Sequence, residues 1–249
     1  MSAAFDPAPA WLADAVLVVA HPDDEVLWFG SILRAIGRVV IAFRDYDAVP
    51  GLGARRAAAL AEMPYRDCVS LDLPEAGSLR HAAWPDPRLS EYGLALDSAP
   101  VDAAAEARYR ANFAALRARL AQALPARAHV VTHNPWGEYG HEDHVQVHRA
   151  VDSLWRDLGL SLWTTNYVSS RSAVLAARYA AGRDTRIVKR PIDLDFARGI
   201  AEIYRRHDCW TWRDAWTGFD AECLVSLPLD LSGGTGVNRL PLNVVTFDG

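Results

Sequence analysis

His21-Pro22-Asp23-Asp24-Glu25 follows an apolar run at residues 15–20, and His141-Glu142-Asp143-His144 closes a second stretch that leaves an apolar run at residues 129–132. His21, Asp24 and His144 supply two imidazoles and one carboxylate. With a fourth position open to water, that is the donor set of a catalytic zinc site, where the ion acidifies water and polarises a carbonyl. The His-x-x-Asp spacing lets both side chains converge where a strand passes into a helix. Asp23, between them, projects toward the open position as the candidate general base. One carboxylate on the metal and one free avoids two unpaired like charges in one pocket. His141 is the remaining catalytic candidate, as an acid or as partner of the oxyanion formed when water attacks an amide carbonyl. If the Asp143 carboxylate holds the other nitrogen of His141, the imidazolium form is favoured. Asp143 followed by Gln146 equally fits a capping box, in which it serves the helix instead. His148 shares a helix face with His144 but borders an apolar stripe, so it reads as a packed histidine. His133 is open between pocket lining and a structural hydrogen bond.

These residues need a scaffold, and the apolar patterning supplies one. Strands at 16–20, 39–43 and 68–71 alternate with helices at 25–36 and 54–63, the rhythm of a doubly wound sheet. A long helix capped by Asp102 carries Tyr109, Phe113, Leu116 and Leu120 on one stripe and ends before Pro125. A strand at 129–132, a helix over 147–158, a strand at 162–168 and a helix over 193–207 follow. Residues 222–227 and 243–247, with Gly233-Gly234 between them, read as antiparallel strands. The expected class is α/β: a single-domain, Rossmann-like, mostly parallel sheet with helices on both faces and a small antiparallel C-terminal part. The acidic cluster then falls at the carboxyl end of the first strand, where such sheets bind their ligands. Residues 74–100 hold no clear period, and Trp84 and Arg88 there are candidates for a substrate wall. Trp210, Trp212 and Trp216 fit either sugar stacking or core packing.

With 249 residues and 51% hydrophobic content, the chain suits one domain, 1–249, with a sizeable core. A formal net charge of −5 provides no basic face, which argues against nucleic acid or anionic membrane as partners. No run approaches the ~20 apolar residues of a membrane span. The N-terminus lacks a basic region followed by an apolar one, so a cytoplasmic protein is expected. Cys68, Cys209 and Cys223 are odd in number and far apart, which favours reduced thiols over a disulfide framework.

Ala20-His21-Pro22-Asp23-Asp24-Glu25 together with Tyr139-Gly140-His141-Glu142-Asp143-His144 resembles the N-acetylglucosaminylphosphatidylinositol de-N-acetylase family, PIG-L or LmbE-like, over roughly residues 15–160. The resemblance implies one LmbE-like deacetylase domain with Zn2+ on His21, Asp24 and His144, another divalent ion such as Fe2+ being compatible. It implies Asp23 as general base and His141 as the group assisting the tetrahedral intermediate. Tyr139 matches a tyrosine that swings toward substrate in some members. An arginine of the second helix is supplied by Arg55 or Arg56, although the acidic residue usual three positions later is alanine for either. The glycine pair common after the acidic motif is replaced by Trp28-Phe29-Gly30. The implied substrate is a small N-acylated, above all N-acetylated, amino sugar or glycoconjugate. Two alternatives stand beside it: an amidase for a thiol conjugate or modified natural product, and a non-catalytic sugar-binding module that keeps its metal. A nucleotide-binding domain fits poorly, because no GxGxxG or Walker pattern follows the first strand.

Overall fold

The computed structural model describes residues 5–98, 103–180, 186–213, 218–227 and 241–246. A 3-10 turn at Ala10–Asp14 leads into β1 (Val16–Val19), followed by α1 (Asp24–Trp28), β2 (Arg38–Asp45), α2 (Leu52–Ala61) and β3 (Cys68–Pro74). Two short strands, β4 (Leu89–Ser90) and β5 (Gly93–Leu94), precede α3 (Ala103–Ala123), β6 (His129–Thr132), α4 (Glu142–Leu158), β7 (Ser161–Thr164) and β8 (Tyr167–Ser169). The remainder is α5 (Ala173–Ala180), β9 (Ile187–Pro191), α6 (Leu194–Arg206), β10 (Ala221–Leu227) and β11 (Asn243–Val245).

The central sheet has seven strands in the order β3-β2-β1-β6-β7-β10-β9. From β3 to β7 all neighbours are parallel, whereas β10 runs antiparallel to both β7 and β9. Successive side chains of a strand point to opposite faces, and β1 shows the consequence. Leu17 and Val19 join α1, α2 and α6 in one core, through Trp28, Ala59, Ile200 and Tyr204. Val16 and Val18 join α3 and α4 in the other, through Leu116, Leu120, Val147 and Val151. Helices on both faces explain why β1 is apolar along its whole length.

The class is the α/β one expected, and the departures are local. The helix expected over 25–36 stops at Trp28 because the chain must pass close under Ile192: a Cβ on Gly30 would lie 2.9 Å from Ile192 Cγ2. Ser31 then gives its N–H to Glu222 Oε1 at 2.9 Å instead of to a helical carbonyl. The strand expected over 162–168 divides into β7 and β8. Asn166 accounts for the break, since it donates to the Pro241 carbonyl and accepts from the backbone N–H of Cys223. In the tail, β11 pairs parallel with β8 and not antiparallel with β10. Gly233-Gly234, Asp102 and Trp216 lie outside the described residues. The three cysteines are free. No helix among the described residues is long and apolar enough to cross a membrane.

Glu222 links β10 to the broken end of α1 and yields a pH prediction. It is buried, and Oε2 accepts from the Tyr167 hydroxyl at 2.8 Å. Burial pushes its carboxyl up from 4.5 to about 7. Between those values the unfolded chain has lost a proton that the folded chain keeps, so this contribution to stability is full below about pH 4.5 and is lost as pH rises toward 7. At ~1.4 kcal/mol per pKa unit the loss is roughly 3 kcal/mol. Glu222→Gln removes the titration while keeping the shape. Denaturant unfolding at pH 5 and pH 7.5 should therefore show the wild type losing stability relative to the variant as pH rises; a constant difference would refute the assignment.

Candidate active site

β1 and β6 are neighbours, and their connections leave toward opposite edges of the sheet, β1 to β2 and β6 to β7. This is a topological switch point, and the crevice beyond its strand ends holds both polar clusters. A cavity of about 410 Å³ opens there, lined by His21, Asp23, Asp24, Tyr139 and His141 at its base.

Asp24 begins α1 and places one carboxylate oxygen toward each histidine. Oδ2 lies 3.1 Å from His21 Nδ1 and accepts the His21 N–H at 2.7 Å; Oδ1 lies 3.1 Å from His144 Nε2. Trp28 Nε1 donates to Oδ1 at 3.0 Å, so the residue standing where glycine is common fastens the carboxylate. Burial pushes Asp24 upward, but His144, His133 and His21 outweigh it and hold the carboxyl well below its usual range. Burial likewise opposes a charge on His21, yet Glu75, Asp143 and Asp24 raise it well above the ordinary histidine value.

Glu138 orders the second cluster. Its Oε2 lies 2.9 Å from His133 Nδ1 and 2.7 Å from His144 Nδ1. Burial works against its charge, but the two histidines hold it down to about 2, so it is an ionised acceptor. His133 also accepts the Ala20 N–H on Nε2 at 2.9 Å, so both its nitrogens are committed and its role is structural. His148 donates to the His133 carbonyl at 2.9 Å and packs. His144 differs: with Nδ1 turned to Glu138, its buried Nε2 makes no well-aligned hydrogen bond among the described residues and faces Asp24 Oδ1 at 3.1 Å. A carboxylate on one imidazole nitrogen, with the other nitrogen turned to a second ligand candidate, is the arrangement of a metal-ligating histidine. The ligand atoms of His21, His141 and His144 lie within 4.8 Å of one another, and Asp24 brings one oxygen to 3.1 Å from His21 and the other to 3.1 Å from His144. The residues present therefore fit a metal ion.

Asp23 is the N-cap of α1 and sits at φ 98°, a left-handed conformation costly for a residue with a Cβ. Its N–H donates to Glu25 Oε2 at 3.0 Å, and Glu25 Oε1 accepts from the hydroxyls of Tyr65 and Tyr204 at 2.9 and 2.6 Å. The Asp23 carboxylate accepts from Thr211. Burial, with Asp24 beside it, raises Asp23 to about 6.

His141 caps α4. Its Nδ1 accepts the backbone N–H of Asp143 at 3.1 Å, which leaves Nε2 to carry the proton of the neutral ring. Burial, with His144 and His21 nearby, holds it well below the ordinary histidine value. Neither sequence alternative for Asp143 describes this geometry. Because α4 begins at Glu142, the Asp143 carboxylate turns to Ser78 Oγ at 2.6 Å and His21 Nε2 at 3.2 Å, away from the His141 ring. Gln146 binds the carbonyls of Tyr92 and Tyr109 and forms no capping box. The imidazolium expected for His141 gives way to a neutral N–H donor.

The expected substrate contacts divide. Tyr139 and Arg56 line the cavity; Arg56 is buried and donates to Glu75 Oε1 at 2.6 Å, which supplies from the residue after β3 the acidic partner missing from α2. Arg55 faces away and donates to the Asp208 and Pro50 carbonyls. Arg88 is exposed and pairs with Asp97. Trp84 donates to Glu142 Oε1 at 3.0 Å and packs on Ala82, Trp136 and Leu175, outside the cavity. Glu142 also takes the N–H groups of Arg80 and Ala82, so this one buried carboxylate ties the 74–100 loop to α4. The loop does wall the cavity, but through Leu79 and Arg80. Trp212 lines it as well, while Trp210 lies against Tyr204 and Arg205.

The family model for PIG-L, the GlcNAc-PI de-N-acetylases, matches residues 16–155. The chain belongs to this family. No curated protein matches it closely enough to count as a relative. Among solved structures, a deacetylase in complex with teicoplanin, from the teicoplanin biosynthesis pathway, superimposes with a TM-score of 0.49 at 15% identity, covering 85% of this chain and 98% of that one. The zinc-inhibited form of teicoplanin deacetylase Orf2 gives a TM-score of 0.50 at 15% identity, covering 86% and 98%. At such identities the likeness is one of fold. The PIG-L match includes both histidine clusters and Glu138, whereas Thr211 and Trp212 come from beyond it. A sequence signal for Glu138 existed: an acidic residue six positions before a ligand candidate, at the turn leaving a strand. Thr211 had none.

Proposed function

We propose that the chain is a metal-dependent hydrolase, one LmbE-like domain over residues 1–249, that removes an N-acyl group, foremost N-acetyl, from an amino sugar or glycoconjugate. His21, Asp24 and His144 would hold the ion, Zn2+ first and Fe2+ as the alternative. A bound divalent ion supplies Lewis acidity toward water and the amide carbonyl. Asp23 takes the proton of the attacking water as its oxygen adds to the acyl carbon. The Nε2–H of His141 donates to the oxygen that becomes the oxyanion. The proton then passes to the amine nitrogen as the C–N bond breaks, giving a free amine and a carboxylic acid that releases its remaining proton to solvent. Arg56, fixed by Glu75, and Tyr139 wall the acyl end, and Asp143 holds the His21 ring.

The observation that carries this reading is Asp24 reaching one oxygen to His21 and the other to His144, with a second carboxylate, Asp23, beside it at the cavity base. Membership of PIG-L supports the amide and the sugar. The rim favours a second substrate type on the same chemistry. Val49, Leu52, Leu79 and Trp212 make an apolar mouth beside Arg80, which suits a conjugate or natural product with an apolar portion next to the N-acyl sugar. The test is release of free amine from a panel of N-acetylated amino sugars, their aryl or alkyl conjugates and thiol conjugates, using folded, metal-loaded protein. Amine is expected from the sugar derivatives, faster where an apolar aglycone is present. No amine from any member would overturn the proposal.

A further inference from the structure

Asp23 is held at both ends. Its backbone N–H is fixed by Glu25, and its Oδ2 accepts two hydrogen bonds from one residue: the N–H of Thr211 at 3.1 Å and its hydroxyl at 2.6 Å. Thr211 follows α6 and lies 188 residues further along the chain. Its neighbour Trp212 meets Trp28 edge-on with ring centroids 5.3 Å apart and Tyr139 at 5.2 Å, which pins the segment beside the cavity. Oδ1 of Asp23, by contrast, takes no hydrogen bond from the described residues.

We propose that Thr211 is a positioning residue for the amide hydrolysis inferred above: by filling Oδ2 twice it fixes the rotation of the Asp23 carboxylate and leaves Oδ1 as the oxygen that accepts the proton of water. The proposal rests on that reading of the reaction and adds to it the segment beyond α6 as part of the catalytic wall. An unconstrained carboxylate would divide its time among orientations, and misplacement by about 1 Å can cost up to ~10²-fold in rate. The hydroxyl therefore acts on kcat, not on substrate affinity.

The test compares Thr211→Ser, which keeps the hydroxyl, with Thr211→Val, which keeps shape and N–H but loses it; Thr211→Ala replaces the valine variant if that does not fold. Kinetics are read on the best substrate of the panel, together with metal content and a crystal structure of each variant. Thr211→Val should lose roughly 10- to 100-fold in kcat, with KM and metal content unchanged and the Asp23 carboxylate rotated in the crystal. Thr211→Ser should stay near wild type, with the carboxylate in place. Wild-type kcat and an unmoved Asp23 in the valine or alanine variant would overturn the role, and so would an equal loss in the serine variant accompanied by a lower Tm. A wild type inert across the panel would count against the hydrolase reading itself. The crystal structures would still report whether Thr211 orients Asp23.

Discussion

Asp23→Asn should keep its fold and its metal while kcat falls by roughly 10² to 10⁴, the usual worth of a general base. The fold survives because asparagine has the same shape and the Asp23 contact to Glu25 is made by the backbone N–H, which the substitution leaves alone. An amide oxygen can still accept from Thr211. What disappears is basicity. Burial and Asp24 raise Asp23 to about 6, which makes it a stronger base than an exposed aspartate. The left-handed backbone at φ 98° is a strain that a purely structural cap does not need, since ordinary N-caps are extended. Steady-state kinetics with metal analysis on the same sample settle the matter. Near-normal turnover in a metal-replete variant would remove Asp23 from the mechanism.

His21→Ala, Asp24→Ala and His144→Ala should each sharply weaken metal binding, with Asp24 the most sensitive because it faces both histidines. Glu138→Gln gives a graded version. It keeps volume but loses the negative charge shared by His133 and His144, and loss of such a partner commonly costs about 10- to 100-fold in metal affinity. Metal content after dialysis reads the three ligand variants, and a metal titration reads Glu138→Gln. Undiminished content in all three alanine variants would sink the ligand set.

The sequence foretold the frame because buried parallel strands are apolar throughout and their carboxyl ends are where polar clusters can face a crevice. His21 to Glu25 and His141 to His144 were visible for that reason. The finer wiring was not, since it depends on contacts between distant segments. Nothing at residues 207–213 says that Thr211 meets Asp23, and nothing at Glu142 says that its carboxylate gathers the N–H groups of Arg80 and Ala82. Arg88 and Trp84 looked like a substrate wall because a long aperiodic loop carried them. Glu142 holds that loop so that Leu79 and Arg80 face inward instead. For Asp143 the difference is two residues of helix start: with His141 and not Asp143 as the cap, its backbone and not its carboxylate serves the His141 ring. The helix over 25–36 failed for a similar reason, because the partner that draws the Ser31 N–H out of the helix, Glu222, lies 191 residues away.

The most direct measurement of the central claim is amine release from one N-acetylated sugar substrate by a single protein sample, taken before metal removal by a chelator, after removal, and after return of a stoichiometric divalent ion. The account predicts activity, loss of activity in protein shown by elemental analysis to be metal-free, and recovery on reloading, with Tm confirming a folded chain throughout. Full turnover by analytically metal-free protein would contradict it.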